Sequence, residues 1–290
     1  MSQLIANALI TAAIIALVAV GFQLIFRTAR FFHFAHGIII ACGAYCAFWL
    51  MRQGTPFTAA LILSVLFCAA LGSAIQIFTY RPLRARGADP TILLLASLGI
   101  YIVIQNVISL WFGNDTKTIR QGVVREGLEI IGARITPVQA LTILTSAVLI
   151  VGLHFFLKKT RIGNAMRAVA NDPKLAMLSG IDSNRVFIGT FAIGSSLAGV
   201  AGILMALDID MNPQMGMNAL LMGVVAVIIG GVGSISGVAL GSLLLGIAQH
   251  LGVWKISSQW QDAIVFIVLL AFLLIRPHGF LGKRVKKATV

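Results

Sequence analysis

The feature that most constrains this chain is a succession of apolar stretches, each close to bilayer-spanning length, running almost from end to end. A helix that spans the hydrocarbon needs roughly 20 apolar residues. Such stretches occupy 4–26, 31–51, 56–80, 91–112, 137–157, 186–207, 218–233, 237–253 and 260–275. Only 11% of the 290 residues are charged, against about a quarter in soluble domains. No polar region between the stretches is long enough for a separate soluble domain. The expected fold is one all-α membrane domain over 1–290, a polytopic helix bundle of about nine crossings with broken or re-entrant helices possible.

Charge sets the orientation, because cytoplasmic loops of membrane proteins carry an excess of Lys and Arg. Arg27, Arg30, Arg81, Arg84, Arg86, Lys158, Lys159, Arg161, Arg167, Lys174 and Arg185 fall on one side of a nine-crossing chain, with Arg276, Lys283, Arg284, Lys286 and Lys287 of the tail. The other side holds Arg52, Lys117, Arg120, Arg125, Arg134 and Lys255. This places the N-terminus outside and the C-terminus in the cytoplasm. The net charge of +13 is therefore a topology signal in short clusters, and no nucleic-acid partner is expected. The run from Leu4 to Phe26 has no positive charge before it, so it reads as a retained helix rather than a cleaved signal. Cys42, Cys46 and Cys68 all lie in apolar stretches without a metal-ligand set and read as packing residues.

Two connections do more than turn the chain. The external one, 113–136, carries Asp115, Glu126 and Glu129 among glycines and reads as a small surface cap. The internal one, 158–185, reads as two short helices, the second starting at Asp172-Pro173 and closing at Gly180. A cytosolic loop of that kind is a surface to be touched. The segment Gly230-Gly231-Val232-Gly233-Ser234-Ile235-Ser236-Gly237 is either a tight turn or a broken helix lining a pathway, since irregular backbone at membrane depth must be buried or face water. Gly237 and Gly241 add a small-xxx-small face for close helix packing.

Several chemistries are missing. A phosphate cradle needs G-x-x-x-x-G-K-[ST], and the only Gly-Lys pair, Gly282-Lys283, lacks it. Gly231-Val232-Gly233 begins like a dinucleotide fingerprint, but Ser236 stands at the third glycine position. The chain itself is expected to bind no nucleotide, metal or other cofactor, and no catalytic residue is assigned. An intramembrane hydrolase would pair Ser195 or Ser196 with His154 or His250, although serines beside Gly194 are also ordinary packing groups. A proton-coupled carrier would want a carboxylate at membrane depth, and all nine acidic residues map to loops or helix ends. A sodium-coupled carrier, using carbonyls and hydroxyls, stays open as an alternative. Among the uncharged polar residues within the spans, Gln105 and Asn106 are pathway candidates, together with Ser195 and Ser196; interhelical hydrogen bonding is the plainer reading of each.

The sequence resembles the branched-chain amino acid ABC transporter permeases in an ordered series of motifs. These are Arg30-Phe31-Phe32-His33-Phe34-Ala35-His36-Gly37 with Gly43-Ala44-Tyr45, then Tyr80-Arg81-Pro82-Leu83-Arg84, and then Leu98-Gly99 to Gln105-Asn106. Arg161-Ile162-Gly163 through Arg167-Ala168-Val169-Ala170 to Gly180-Ile181 follows, then Gly230 to Ser234, and finally Arg276-Pro277-His278-Gly279-Phe280-Leu281-Gly282. The short N-terminus is similar to the H-type subunit. His33, Ser236 and His278 depart from the residues usual in that family. The resemblance implies a bacterial inner-membrane importer with a second, M-type permease subunit, two cytosolic ATPases that use ATP and Mg, and a periplasmic solute-binding protein. It also implies that 158–185 is the ATPase-contacting loop, with Arg161, Gly163, Arg167, Ala168, Asp172 and Gly180 as coupling residues. Gly230, Gly231, Gly233 and Gly237 become gate or close-packing residues. The same scaffold resembles permeases for urea, short amides and aromatic acids.

Overall fold

In hydrocarbon the backbone has no water to bond, so every apolar stretch must close its hydrogen bonds internally. In the computed structural model, which describes residues 1–120, 127–130, 132–255, 257–276 and 279–282, each of those stretches is helical over most of its length, with 31–34 and 231–233 the chief non-helical pieces. The helices are α1 (Ser2–Ala29), α2 (Ala35–Arg52), α3 (Phe57–Ile75), α4 (Arg81–Ala85), α5 (Pro90–Phe112) and α6 (Pro137–Lys159). They continue as α7 (Arg161–Asn171), α8 (Pro173–Leu178), α9 (Ser183–Asp208), α10 (Met215–Gly230), α11 (Ile235–Lys255) and α12 (Gln261–Ile275). α3 runs into α4 through a π-helical turn, Gln76–Tyr80, making one span from 57 to 85. Seven helices are long and apolar enough to cross a membrane, and α10 and α12 are shorter apolar helices. Glu126, Arg125, Pro277, His278 and the basic tail of Lys283, Arg284, Lys286 and Lys287 lie outside the described residues.

The connections gather at two ends. At one, Ser2 Oγ donates to the Gly132 carbonyl (2.7 Å), Lys117 and Met211 exchange backbone hydrogen bonds, and Arg120 pairs with Asp210. At the other, Arg27 reaches Gly233, Arg30 reaches Ala170 and Asn171, and Phe280 bonds to Ile229. The connection between α5 and α6 adds one non-helical element to the helical bundle: Leu128–Ile130 (β1) and Ala133–Ile135 (β2) pair antiparallel, with Leu128 opposite Ile135.

α1, α2 and α9 form the centre, and α10 and α11 pack beside α1. Small residues let the backbones approach. A Cβ on Gly43 of α2 would lie 2.6 Å from the Gly199 Cα of α9, and one on Gly202 would lie 1.9 Å from the Ile40 carbonyl oxygen. Where side chains cannot drive association by leaving water, such close packing does.

Candidate functional site

Three regions hold the candidate residues. The first is the helix pair α7–α8. Thr160 caps α7, its hydroxyl accepting from Gly163 N–H (3.0 Å) and donating to the Phe156 carbonyl (2.8 Å). Gly163 is required there: a Cβ would meet the Phe156 oxygen at 2.4 Å, so only glycine lets α7 fold back on the end of α6. Met166 and Val169 bury the inner face of α7. Asp172 then starts α8, accepting from the Lys174 and Leu175 backbone N–H groups, which hold its carboxyl below the usual carboxylate range. Gly180 ends the segment at φ 79°, a left-handed conformation that glycine adopts without strain.

The pair is anchored from α1. Arg30, itself at φ 58° where α1 ends, donates to the Ala170 and Asn171 carbonyls at the end of α7. A guanidinium there satisfies carbonyls that the helix leaves free and opposes its dipole. Arg161 and Arg167 stay exposed, Arg167 donating to Asn164 Oδ1 (2.5 Å), and Ala168 is half-buried. The outer face is apolar: Ile162, Leu175, Met177 and Leu178 are all exposed, Leu178 at 86%. Large apolar side chains thus lie exposed beside arginines, the pattern of an apolar patch with a polar rim.

The second region is the glycine segment, and here the two sequence alternatives separate. α10 ends at Gly230, α11 begins at Ile235, and the helices run antiparallel, with Gly230 against Gly237 and Gly241 against Ala226. The segment is a tight turn, with Gly231 and Gly233 at φ 94° and 99°. α1 clasps it. In the amide orientation that satisfies the network, Gln23 accepts from the N–H groups of Gly233 (2.7 Å) and Ser234 (3.0 Å), while Arg27 donates to the Gly233 carbonyl (3.2 Å). The chain after α12 returns to the same turn, as Phe280 and Leu281 N–H donate to the Ile229 and Gly230 carbonyls. Gln23 and Arg27 are therefore functional-site neighbours that periodicity alone did not single out; their spacing of four on α1 is the one signal.

The third region is a polar seam inside the bundle. His33 Nδ1 and the Tyr80 hydroxyl share a 2.9 Å hydrogen bond, and both rings pack against Phe191, His33 edge-on and Tyr80 tilted. Ser195, one turn further along α9, is fully buried against Gly72 and lacks a hydrogen-bond partner for its hydroxyl, as does the Gln76 amide. Ser196 donates to the Ala192 carbonyl. Neither serine bonds to a histidine, and His250 meets Thr11 instead (2.9 Å), so the described residues do not assemble the hydrolase arrangement. Gln105 and Asn106 lie elsewhere, on α5, where Gln105 is half-buried one turn from the buried Tyr101 and Ile108, and Asn106 is exposed beside Val107 and Leu110 with its amide donating to its own helix at Ile102. The four pathway candidates are thus on two surfaces that this chain alone does not join.

The model of the family "Branched-chain amino acid transport system / permease component" matches residues 4–273. The chain belongs to this family. The permease is 33% identical over 295 residues to the high-affinity branched-chain amino acid transport system permease protein BraD of Pseudomonas aeruginosa, covering 97% of this chain and 95% of that one. It is also 33% identical over 283 residues to LivH of Escherichia coli, covering 92% and 91%. In fold it resembles a chain of PsaBC from Streptococcus pneumoniae in complex with Fab, with a TM-score of 0.51 at 15% identity, covering 93% of this permease and 89% of that chain. The permease is a multi-pass membrane protein of a transport-permease family.

Proposed function

We propose that this permease is one half of the translocation pathway of an ATP-driven importer for branched-chain or related amino acids in a bacterial inner membrane. In this reading the chain crosses nine times, with its N-terminus outside and the α7–α8 side in the cytosol. Two cytosolic ATPases supply the energy, binding ATP and Mg that this chain does not hold, and a periplasmic binding protein delivers solute to this subunit and its M-type partner. The observation that carries the proposal is the α7–α8 platform. It sits on the basic side, is bolted to α1 by Arg30, and turns Leu175, Met177 and Leu178 outward. A partner pressing there moves α1, and α1 holds the glycine turn through Gln23 and Arg27.

Accumulation requires a coupled free-energy source, because a ligand alone only shifts an equilibrium. The purified chain in liposomes is therefore expected to move no amino acid uphill under a proton or a sodium gradient. With its permease partner, both ATPases and a loaded binding protein, it should accumulate solute only when ATP is present. Gradient-driven uptake by the isolated chain would sink this reading and promote the sodium-coupled carrier. ATP-driven uptake of urea, an amide or an aromatic acid in place of amino acids would keep the importer and change its solute.

A further inference from the structure

Where α1, α6, α7 and the glycine turn meet, the fold leaves a small cavity that opens to the outside. Its polar wall is made by Gln23, Arg27, Thr28, Arg167 and Gly233. The two guanidinium groups lie close enough to repel each other, and no carboxylate lines the cavity. Gathering two cations without a counter-ion is unfavourable unless an anion completes the site. Lys158 and Lys159, exposed at the end of α6, add positive charge at the same level. The site is built for a negative group.

The opposite wall says which one. Leu153 and Leu157 of α6 complete the cavity, and the outer face of α6 is apolar and exposed along its length, with Leu144 and Val148 each at 61% and Phe155 at 53%. An anion entering between α1 and α6 thus carries, or slides past, hydrocarbon. The cavity lies beside the last turns of α1, where apolar helix gives way to basic connections, the boundary at which a spanning helix meets the headgroups. Guanidinium binds phosphate oxygens through paired N–H donors, and basic pockets between spanning helices at this depth suit acidic headgroups. We propose that the cavity binds the phosphodiester of an acidic phospholipid between Arg27 and Arg167, with its acyl chains along α6. The lipid then ties α7 to α1 and to the glycine turn, making the contact-bearing platform sensitive to membrane composition. Placing that leaflet on the cytosolic side rests on the topology proposed above.

The test needs no transport, so its outcome is independent of the importer reading. The purified permease, stripped of lipid in detergent, is titrated with phosphatidylglycerol, phosphatidylcholine or inorganic phosphate and the bound species are weighed by native mass spectrometry. Phosphatidylglycerol is expected to be retained where phosphatidylcholine is not. Arg27→Gln with Arg167→Gln should weaken that retention about tenfold or more, as loss of two cations at a membrane surface implies. Arg27→Lys should retain the lipid, which shows that the site still folds, and Arg81→Gln with Arg86→Gln, both exposed on the same side, should change nothing. Equal retention by the double glutamine variant overturns the proposal. So does saturation by inorganic phosphate that blocks the lipid, or efficient cross-linking of a cysteine at position 27 to an ATPase in place of lipid, which would assign the cavity to a carboxylate of that partner.

Discussion

α1, α2 and α9 differ sharply from α5 and α6 in burial, yet not in apolar character. The first three have mean hydropathies of 2.6, 1.3 and 1.8 and bury 78%, 72% and 72% of their best spanning windows. α5 and α6 reach 2.1 and 2.2 but bury only 22% and 17%. In water the more apolar helices would take the centre. In lipid the outside is as apolar as the inside, so hydropathy does not sort helices. What sorts them here is glycine. Gly37, Gly43, Gly194, Gly199 and Gly202 each press on a neighbouring helix, whereas Gly99 of α5 and Gly152 of α6 have nothing within 4 Å of where a Cβ would stand.

The largest expected effect tests that contrast directly. A Cβ at Gly202 would overlap the Ile40 carbonyl, a backbone atom that moves only if α2 moves. Gly202→Val should cost upwards of about 3 kcal/mol, at or beyond the high end for overpacked cores, and abolish monodisperse protein on size-exclusion chromatography in detergent. Gly99→Val and Gly152→Val should elute like the parent. If the peripheral substitutions were as damaging, glycine would be serving helix bending or a partner subunit, and the contrast between centre and edge would fail.

A smaller effect is expected from hydrogen bonding. Tyr80→Phe removes the hydroxyl that pairs with His33, leaving a buried ring nitrogen without its partner, at a cost of about 1–3 kcal/mol. Trp111→Phe, at a residue 82% exposed on α5, should stay within about 0.5 kcal/mol. Thermal midpoints of the two variants in the same detergent measure the difference. Equal midpoints would mean that water already serves the seam and that Tyr80 packs there only as a ring.

The nine apolar stretches were legible as helices because length and composition suffice for that in lipid. The start of α8 was legible too, since Asp172-Pro173 is a local signal. Other features depend on contacts across the chain. Gln23 and Arg27 meet a turn more than two hundred residues later, and their spacing of four on one helix marks a shared face without saying what it meets. The non-helical stretch 30–34 sits inside an apolar run, and is held open by Ser97 of α5, whose hydroxyl accepts from Phe34 N–H (3.0 Å). The π turn that aligns Gln76 and Tyr80 with α9 leaves no mark on hydropathy. Ser195 and Ser196 are buried or half-buried on α9 while Asn106 is exposed on α5, a difference that hydropathy does not show either.

The platform helices sharpen the same comparison at its smallest scale. α7 and α8 meet water, so local capping counts there in a way that it does not where hydrocarbon enforces the helix. Asp172 accepts from the amides of Lys174 and Leu175, and Asp172→Ala should speed hydrogen exchange at those two amides several-fold while leaving α9 unchanged. Asp172→Asn should behave nearly like the parent, because a side-chain amide oxygen also caps. The pH dependence has a defined sign. The folded carboxyl is held below its unfolded value by those amides, so its contribution is fully present above the unfolded value of about 4 and is lost as pH falls through the lower folded value. At neutral and mildly acidic pH the cap is therefore intact, and protection at Lys174 and Leu175, corrected for intrinsic exchange, should be flat until the buffer is more acidic than the ordinary carboxylate range. Loss of protection beginning near pH 6 would show that α8 is held by contacts other than its cap, and that packing rules the water-facing helices as it rules the centre of the bundle.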